Sequence, residues 1–304
     1  MINVNMGIYC SFMCSRTTLA EAQKKNAEAL AYKGFRVAIC PDWRGTASGN
    51  PKYITPILQY WRDIVEAHGG KLVVLGFHDK PEDWKDKIHG LIIPGGRDID
   101  PKFYGQENTA SKFDPVDAEL RWNFCSRFIK ECHGLMPIFG VCYGFQVINC
   151  ILGGSMIQSL APKGSHTWKT RTGRVKPGSE LELAASKSKL DMRCYHHQCL
   201  DRLAPGLEPI AWDQDDEQVH AFVCKGTAEN PRDILCVLWH PEAVYSGQYI
   251  DKHHADNLAI VAHFLKKADG YSVKTGAAGT QSSFRYFRTP EQQKSTNTDY
   301  QPLK

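Results

Sequence analysis

The sequence predicts an α/β protein with an open, mostly parallel sheet and helices on both of its faces. Short, continuous apolar runs alternate with segments of helical spacing between residues 35 and 152. Continuous apolar runs are typical of strands that are buried on both sides, and their alternation with helices favours right-handed crossovers and parallel pairing. After Gly154 the apolar runs become short and are separated by Gly, Pro and Asp. We expect these short runs to form the remaining strands at one end of the sheet.

Each predicted element rests on a local pattern. Apolar runs of strand length predict strands at 35–40, 72–77, 90–93, 136–141 and 234–239. Apolar residues at helical spacing, or runs of strong helix formers, predict helices at 19–32, 54–67, 81–87, 116–130, 145–152 and 258–268. Asp114 or Asp117 can cap the helix at 116–130. The shorter β-like runs lie at 174–175, 181–183, 209–212 and 219–223.

The chain divides into three predicted segments. Residues 1–34 form an N-terminal helical extension, residues 35–269 the folded domain, and residues 270–304 a low-complexity C-terminal tail. With 304 residues, 42% of them hydrophobic, the chain can bury one sizeable core. The tail is too poor in aliphatic residues to fold alone. Its aromatic residues and the N-terminal helix offer a surface for a protein partner.

Composition excludes several classes of function. The formal net charge of +4 is spread along the chain without a basic block, so we expect no nucleic-acid partner. No signal peptide or long apolar span is visible, so we expect no membrane partner. Eleven cysteines at irregular spacing indicate reduced thiols rather than a disulfide scaffold. We therefore expect a cytoplasmic protein, with the mitochondrial matrix as the alternative because residues 1–20 contain no acidic side chain.

A cysteine between two glycines is the first candidate catalytic residue. Cys142 follows the predicted strand at 136–141 and precedes the predicted helix at 145–152, with Gly140 and Gly144 on either side. A nucleophile on a sharp strand-to-helix turn needs glycine where neighbouring backbone approaches closely. The helix N-terminus also favours the thiolate form of the cysteine. On its own, this short pattern also fits a cysteine that packs in the core.

The remaining parts of a catalytic site occur at two other strand ends. His240 follows the apolar run at 234–239 and can act as the base for a thiol, and Glu242, two residues on, can orient the imidazole if the backbone is extended there. The segment Pro94-Gly95-Gly96 ends an earlier strand at the sheet edge where ligands bind. Its free N–H groups, together with the N–H of Tyr143, can stabilise the oxyanion of a tetrahedral intermediate.

These motifs resemble the class I glutamine amidotransferase superfamily, and specifically its γ-glutamyl-γ-aminobutyrate hydrolase and γ-glutamyl hydrolase branch, peptidase C26. The resemblance extends over residues 36–265 and rests on LIIPGGRDIDPKFYG, DAELRW, GVCYGFQ, GGSMIQSL, His166, YHHQCLDRLAPGL and WHPE. It implies a flavodoxin-like fold with Cys142 as nucleophile, His240 as general base and acid, and Glu242 as its orienting residue. It further implies oxyanion donors at Gly96 and Tyr143, and substrate contacts from Gln146, His197 and Gln198.

The chain departs from this family pattern beside the site. Leu238 stands where such proteins usually have glutamine before the tryptophan of WHPE. The segment Asp215-Asp216-Glu217-Gln218 replaces an Asp-Gly turn, and His220 replaces a glutamate before alanine. These departures leave the three catalytic candidates unchanged and affect the expected leaving group of the substrate.

The predicted function is hydrolysis of a small-molecule γ-glutamyl amide through a thioester. A glutamine-dependent synthase needs a domain that accepts ammonia, and we expect none in the short segment after residue 265. Two alternatives remain open, a glutaminase subunit that supplies ammonia to another chain and a non-enzymatic assembly subunit. The order Cys, His, Glu argues against a cysteine-type α/β-hydrolase, in which the acid precedes the histidine.

No cofactor or metal is predicted. Cys194, His196, His197 and Cys199 lie close together in sequence, as do Cys10 and Cys14. Zinc sites usually show two well-spaced pairs, and the first cluster overlaps the histidine-glutamine motif of the family. The sequence therefore favours the catalytic interpretation of this segment over a zinc site.

Overall fold

The computed structural model describes residues 19–40, 57–160, 166, 169–226, 231–246, 249–250 and 255–275. Cys10, Cys14 and the tail after residue 275 lie outside these ranges. Within them, the strands are β1 Arg36–Ile39, β2 Lys71–Val74, β3 Gly90–Ile93, β4 Ile138–Val141, β5 Ser155–Ile157, β6 Lys169–Val175, β7 Lys189–Cys194, β8 Cys199–Arg202, β9 Glu208–Asp213, β10 Val219–Gly226, β11 Pro231–Val237, β12 Tyr245–Ser246 and β13 Tyr249–Ile250.

The central sheet has nine strands in the order β2-β1-β3-β4-β11-β10-β9-β6-β7. The strands from β2 to β11 pair in parallel, whereas the pairings from β11 through β10, β9 and β6 to β7 are antiparallel. Strands β5 and β8 form a separate antiparallel pair, as do β12 and β13. This arrangement confirms the predicted α/β class, including the short strands at one end of the sheet.

The helices are α1 Leu19–Ala31, α2 Ile57–Ala67, α3 Pro81–Trp84, α4 Pro115–Cys132, α5 Tyr143–Ile151, α6 Glu180–Ala185 and α7 Ala255–Lys274. Neighbouring residues of β4 show that helices cover both faces, because successive strand residues point to opposite sides. The Phe139 ring packs on Trp61 of α2 and on Phe264 of α7, with ring centroids 6.1 and 5.4 Å away. The next residue, Gly140, faces α5.

Two local predictions are wrong in detail. The segment predicted as a β-like run at 181–183 is the helix α6, which begins because the Ser179 hydroxyl accepts a hydrogen bond from the N–H of Glu182. Its alternating leucines misled the prediction, since Leu183 is largely exposed. The C-terminal helix, predicted to end at residue 268, continues to Lys274. The cap of α4 is Asp114, whose carboxylate accepts from the N–H groups of Val116 and Asp117.

Helix α1 lies against β2, the edge strand of the parallel part. The Asn26 side chain donates to the carbonyl of Val74 at 2.8 Å and accepts from the N–H of Val74 at 2.9 Å. The Tyr32 hydroxyl donates to the carbonyl of Gly69 at 2.9 Å. The helix therefore pairs polar backbone groups that an edge strand otherwise leaves open. Within the described ranges, no helix combines the length and apolarity needed to span a membrane.

Candidate active site

Cys142 lies at the turn between β4 and α5, and its backbone dihedral angles are strained. Its φ is 51° and its ψ −101°, which is an unusual conformation for a residue with a side chain. A Cβ on Gly144 would lie 1.9 Å from the carbonyl oxygen of Ile93, at the end of β3. A Cβ on Gly140 would lie 2.7 Å from the Cys236 sulfur and 2.9 Å from the Gly144 backbone. Both glycines are therefore required by close backbone approach, as the sequence predicts.

Two contacts place Cys142, one through its backbone and one through its thiol. Its N–H donates to the carbonyl of Val237 in the neighbouring strand β11 at 2.9 Å. Its Sγ lies 3.9 Å from the carbonyl oxygen of Tyr195, which follows β7 directly. The residue is buried, with 6% of its surface exposed. The thiol therefore lies under the segment that joins β7 to β8.

His240 reaches this position because β11 runs parallel to β4. Val237 pairs with Val141, so the two strands end at the same edge of the sheet. The N–H of His240 donates to the carbonyl of Arg193 at 3.0 Å, and its Nδ1 lies 2.7 Å from Oε1 of Glu242. The predicted pairing of histidine and glutamate is therefore present. The assumed extended backbone is wrong, because Glu242 lies in a 3-10 turn, Pro241–Val244, that folds its carboxylate back to the ring.

The electrostatics of the pair favour a charged imidazole. Burial opposes a charge on the ring, but the negative charges of Glu242 and of a Cys142 thiolate outweigh it and hold the pKa of His240 well above its usual range. Oε2 of Glu242 is buried and makes no hydrogen bond within the described part of the chain. Nε2 of His240 is also buried, and an interaction with the Cys142 side chain contributes to the raised pKa of the ring. Since Nδ1 faces the carboxylate, Nε2 is the ring atom that is free to exchange a proton.

The glycines after β3 pack closely on the other site residues. A Cβ on Gly95 would lie 2.7 Å from the His240 ring, and one on Gly96 would lie 2.3 Å from a guanidinium nitrogen of Arg121 and 3.2 Å from the Tyr143 ring. Only residues without side chains fit here, so the backbone of this segment approaches the site directly. This segment therefore borders the site, and the oxyanion role of Gly96 stays a prediction.

Arg121 is a site residue that the sequence reasoning missed. It is 3% exposed, its Nε donates to Asp117 at 2.9 Å, and its guanidinium carbon lies 5.5 Å from the centre of the Tyr143 ring. The available signal in the sequence was an arginine four residues after an aspartate in a predicted helix, within the motif DAELRW. Its burial is explained by the pairing with Asp117. Arg121 supplies a positive charge beside the two candidate oxyanion donors.

The three predicted substrate contacts occupy different environments. Gln146 is buried on α5, one turn after Cys142, and its N–H donates to the Cys142 carbonyl at 3.1 Å. His197 is partly exposed, and its Nε2 lies 3.0 Å from Asp98, which raises the pKa of the ring. The Gln198 amide is buried and donates to the Ser111 hydroxyl at 2.8 Å and to the Gln158 carbonyl at 3.0 Å. These bonds connect Gln198 to the loop between β3 and α4 and to the residue that follows β5, while its contact with substrate stays a prediction.

A second group of reactive side chains lies next to this site. Cys194 and His196 flank Tyr195 in sequence and lie near two buried histidines, His166 and His220. His197 binds Asp98 instead, so the sequence neighbours that suggest one zinc cluster are separated in space. The chain therefore holds a possible ligand set other than the one that the spacing suggests.

The comparison with known families decides the assignment. The model of the Peptidase C26 family matches residues 44–242. The chain belongs to the Peptidase C26 family. Among curated relatives, the glutamine amidotransferase-like protein Rv2859c of Mycobacterium tuberculosis is 30% identical over 64% of this chain and 60% of its own length. Protein NtpR of Enterococcus hirae is 29% identical over 68% of this chain and 89% of its own length.

A solved structure supports the fold assignment. A GMP synthase-like protein of Thermoplasma acidophilum superimposes with a TM-score of 0.55 at 15% identity, over 78% of this chain and 96% of that one. This similarity confirms the glutamine amidotransferase-like fold of this C26 chain. The match spans only part of the mycobacterial relative, so family membership assigns the chain to the hydrolases and amidotransferases without naming its substrate.

Proposed function

We propose that this protein hydrolyses a γ-glutamyl amide through a thioester on Cys142, releasing glutamate and an amine. The observation that carries the proposal is the contact of 2.7 Å between His240 Nδ1 and Glu242 Oε1, at the strand end beside the strained turn of Cys142. A thiol nucleophile, a base and a group that orients the base are the parts that covalent amide hydrolysis requires.

In the first half-reaction, the Cys142 thiolate attacks the γ-carbonyl carbon and forms a C–S bond. The resulting oxyanion accepts hydrogen bonds from the N–H groups of Gly96 and Tyr143, and the positive charge of Arg121 lies close by. The imidazolium of His240 then gives its Nε2 proton to the amine nitrogen, the C–N bond breaks, and the amine leaves. Glu242 stabilises the charged ring throughout.

In the second half-reaction, water hydrolyses the thioester. His240 Nε2 takes a proton from the water as it attacks the acyl carbon, and the Cys142 thiolate leaves as the C–S bond breaks. Glutamate departs with its new carboxylate. On the family resemblance, Gln146 is assigned to the glutamyl group, and His197 and Gln198 are assigned to the pocket mouth.

Two alternatives make different predictions. A glutaminase subunit releases ammonia from glutamine and does not act on γ-glutamyl amines, which fits the names of the amidotransferase relatives. An assembly subunit does not turn over any of these substrates. The complete Cys-His-Glu set argues against the assembly subunit, and the match to the Peptidase C26 model favours the hydrolase over the glutaminase subunit.

The test measures glutamate released from glutamine and from a panel of γ-glutamyl amines. We expect the wild-type protein to turn over at least one γ-glutamyl amine, Cys142→Ala to be inactive, and Cys150→Ala to stay active. Cys150 is a matched control because it is a buried cysteine on the same helix and burial raises the pKa of its thiol. Quenched reactions analysed by mass spectrometry should show an acyl adduct on the peptide that contains Cys142.

The outcomes separate the candidates. Release of glutamate from glutamine alone would favour the glutaminase subunit. No turnover on any substrate, with a stable co-purifying complex, would favour the assembly subunit. Activity retained by Cys142→Ala would overturn the proposed chemistry.

A further inference from the structure

Four buried side chains with metal-binding atoms gather behind the Tyr195 segment. His166, Cys194, His196 and His220 are each at most 5% exposed. The three imidazole rings pack against one another, with centroids 4.8 Å apart between His166 and His196, 5.6 Å between His166 and His220, and 5.2 Å between His196 and His220. The Cys194 sulfur lies 4.0 Å from Nδ1 of His220. The chemistry proposed for Cys142 uses none of these side chains.

The hydrogen bonds of His196 and His166 leave one nitrogen of each ring with a free lone pair. Nδ1 of His196 donates to the backbone carbonyl of Gln198 at 2.9 Å, because a carbonyl can only accept. Nε2 of His166 lies 3.0 Å from Asp216, and so carries its hydrogen toward the carboxylate. The other nitrogens, Nε2 of His196 and Nδ1 of His166, are buried and make no hydrogen bond within the described ranges. A ring held by a carbonyl or carboxylate on one nitrogen is the usual arrangement of a metal-binding histidine.

The arrangement of the ligand atoms selects one of two possible sets. One atom each from His166, Cys194 and His196 lie within 4.8 Å of one another, and so do one atom each from His166, Asp213 and His220. Asp213 is already saturated, because Arg171 donates to both of its oxygens at 2.7 and 2.6 Å and two backbone N–H groups donate to Oδ1. Among the described residues, no such competing cation bonds to the ligand atoms of the first set.

We propose that His166, Cys194 and His196 bind a zinc ion through Nδ1, Sγ and Nε2, with His220 beside the fourth position. Two imidazoles and a thiolate are ligands that zinc prefers, and zinc requires no change of oxidation state. Binding converts the Cys194 thiol to a thiolate and releases one proton to solvent. The ion carries a structural role here, since the set is closed off from the surface.

The protonation of the cluster suits a cation. Burial, reinforced by the neighbouring histidines, holds the pKa of His196 well below its usual range, and burial lowers the pKa of His220 to about 3. The rings of His196 and His220 therefore carry no charge that opposes a cation. The proton released on binding comes from Cys194, because the ligand is its thiolate and burial keeps the free thiol protonated.

The position of the ligands connects the ion to the active site. Cys194 and His196 flank Tyr195, whose carbonyl oxygen lies 3.9 Å from the Cys142 sulfur. Arg193, which precedes Cys194, accepts the hydrogen bond from the N–H of His240. An ion held by both flanking residues would fix the peptide groups that face the nucleophile and the base. Zinc would thus position this wall of the site without touching the reacting atoms.

The experiment is a zinc titration in the Cys142→Ala background, which removes the catalytic thiol as a competing ligand. Metal-free protein is titrated against a chromophoric zinc chelator, and bound zinc is counted by elemental analysis. We expect one tight site, retained by Cys199→Ser and weakened in His166→Ala, Cys194→Ser and His196→Ala. The weakening should exceed about 100-fold, because even partners outside the ligand set are worth about 10- to 100-fold in metal affinity. Cys199 is the matched control, a buried cysteine of the same segment outside the set.

Two further measurements keep the result decisive. Cobalt(II) in place of zinc should show thiolate-to-metal charge-transfer absorption that Cys194→Ser abolishes and Cys199→Ser preserves. Thermal unfolding without metal shows whether each variant folds, and zinc should raise the midpoint for the Cys142→Ala protein and for Cys199→Ser only. Absence of a saturable site in the folded protein, or equal binding by the ligand variants, would overturn the proposal. Neither measurement uses a substrate, so the outcome is independent of the proposed hydrolase activity.

Discussion

Glu242→Gln keeps the shape of the side chain and removes the charge that faces the His240 ring. The carboxylate is fully buried, and its Oε1 lies 2.7 Å from Nδ1 of the ring. A hydrogen bond to a charged group contributes about 1.5–3 kcal/mol. If that contribution is lost from the imidazolium that forms beside the thiolate, kcat/KM should fall by about 10- to 150-fold.

The variant should also change the pH dependence in a defined direction. The negative charge of Glu242 raises the pKa of His240, so the ring holds its proton to higher pH. Without that charge the ring loses its proton at lower pH, and the thiolate–imidazolium pair is lost with it. The basic limb of the profile of kcat/KM against pH should therefore move to lower pH in Glu242→Gln.

The assay is glutamate release under single-substrate conditions over a range of pH, on the best substrate of the γ-glutamyl panel. The matched control is Glu180→Gln, because Glu180 also pairs with a histidine, His263, at 2.8 Å, but lies on α6 away from Cys142. The control should keep the wild-type kcat/KM and profile. A Glu242→Gln enzyme that stays within about threefold of wild type, which is less than 1 kcal/mol, and keeps the same basic limb would refute the orienting role of Glu242.

Two other changes test the fold around the site. Gly144→Ala places a methyl group 1.9 Å from the Ile93 carbonyl oxygen, and we expect urea denaturation to show a loss of at least about 3 kcal/mol in the free energy of unfolding. Gly270→Ala, where a Cβ meets nothing within 4 Å, should instead gain up to about 1 kcal/mol; equal effects would contradict the packing argument. Burial and the charge of Arg36 lower the pKa of His89 to about 4, so the unfolded chain binds the proton first as pH falls. Stability should therefore decline between about pH 6.5 and 4, by up to about 1.4 kcal/mol per pH unit from this residue. His89→Asn, which keeps an acceptor for the N–H of Arg36, should reduce that slope in urea titrations at several pH values, and an unchanged slope would show that other groups control it.

Much of the parallel half of the fold is predictable from the sequence because its signals are local. The strand at Gly90–Ile93 is predicted to the residue, since a short apolar run ends at Pro94 and two glycines. The glycines around Cys142 are likewise a local signal, because they flank one cysteine between an apolar run and a segment of helical spacing. The oxyanion role of Gly96 and Tyr143 and the contacts of Gln146, His197 and Gln198 with substrate stay predictions.

The antiparallel half carries the features that the sequence conceals. The segment after β11 brings His220 of β10 close to Cys194 of β7, because the N–H of Leu238 donates to the His220 carbonyl and the N–H of His240 donates to the Arg193 carbonyl. His166 joins them through its N–H, which donates to the carbonyl of His196. No spacing rule connects residues that far apart in the chain. Sequence spacing instead points to Cys199 and His197, which are neighbours in sequence and not in the ligand set. Similarly, a pattern of alternate leucines cannot distinguish a short capped helix such as α6 from a strand.

Several conflicts with ordinary packing rules lie at the two proposed sites. Cys142 combines a positive φ with burial, whereas the other described non-glycine residues with positive φ, Ser186 and Glu217, are exposed turn residues. Buried polar atoms that make no hydrogen bond within the described ranges include Oε2 of Glu242 at the first site and one ring nitrogen on each histidine of the second, although others, such as Nε1 of Trp61 and the hydroxyl of Ser272, lie outside both sites. Each such atom costs about 1–3 kcal/mol if nothing pairs with it. Since strain and unpaired polar groups persist where function needs them, the catalytic set and the zinc set are supported by the same physical argument. A zinc ion bound to the second set would remove the free-energy cost of its unpaired ring nitrogens. At the first set, the proposed reaction requires that His240 and Cys142 can exchange a proton.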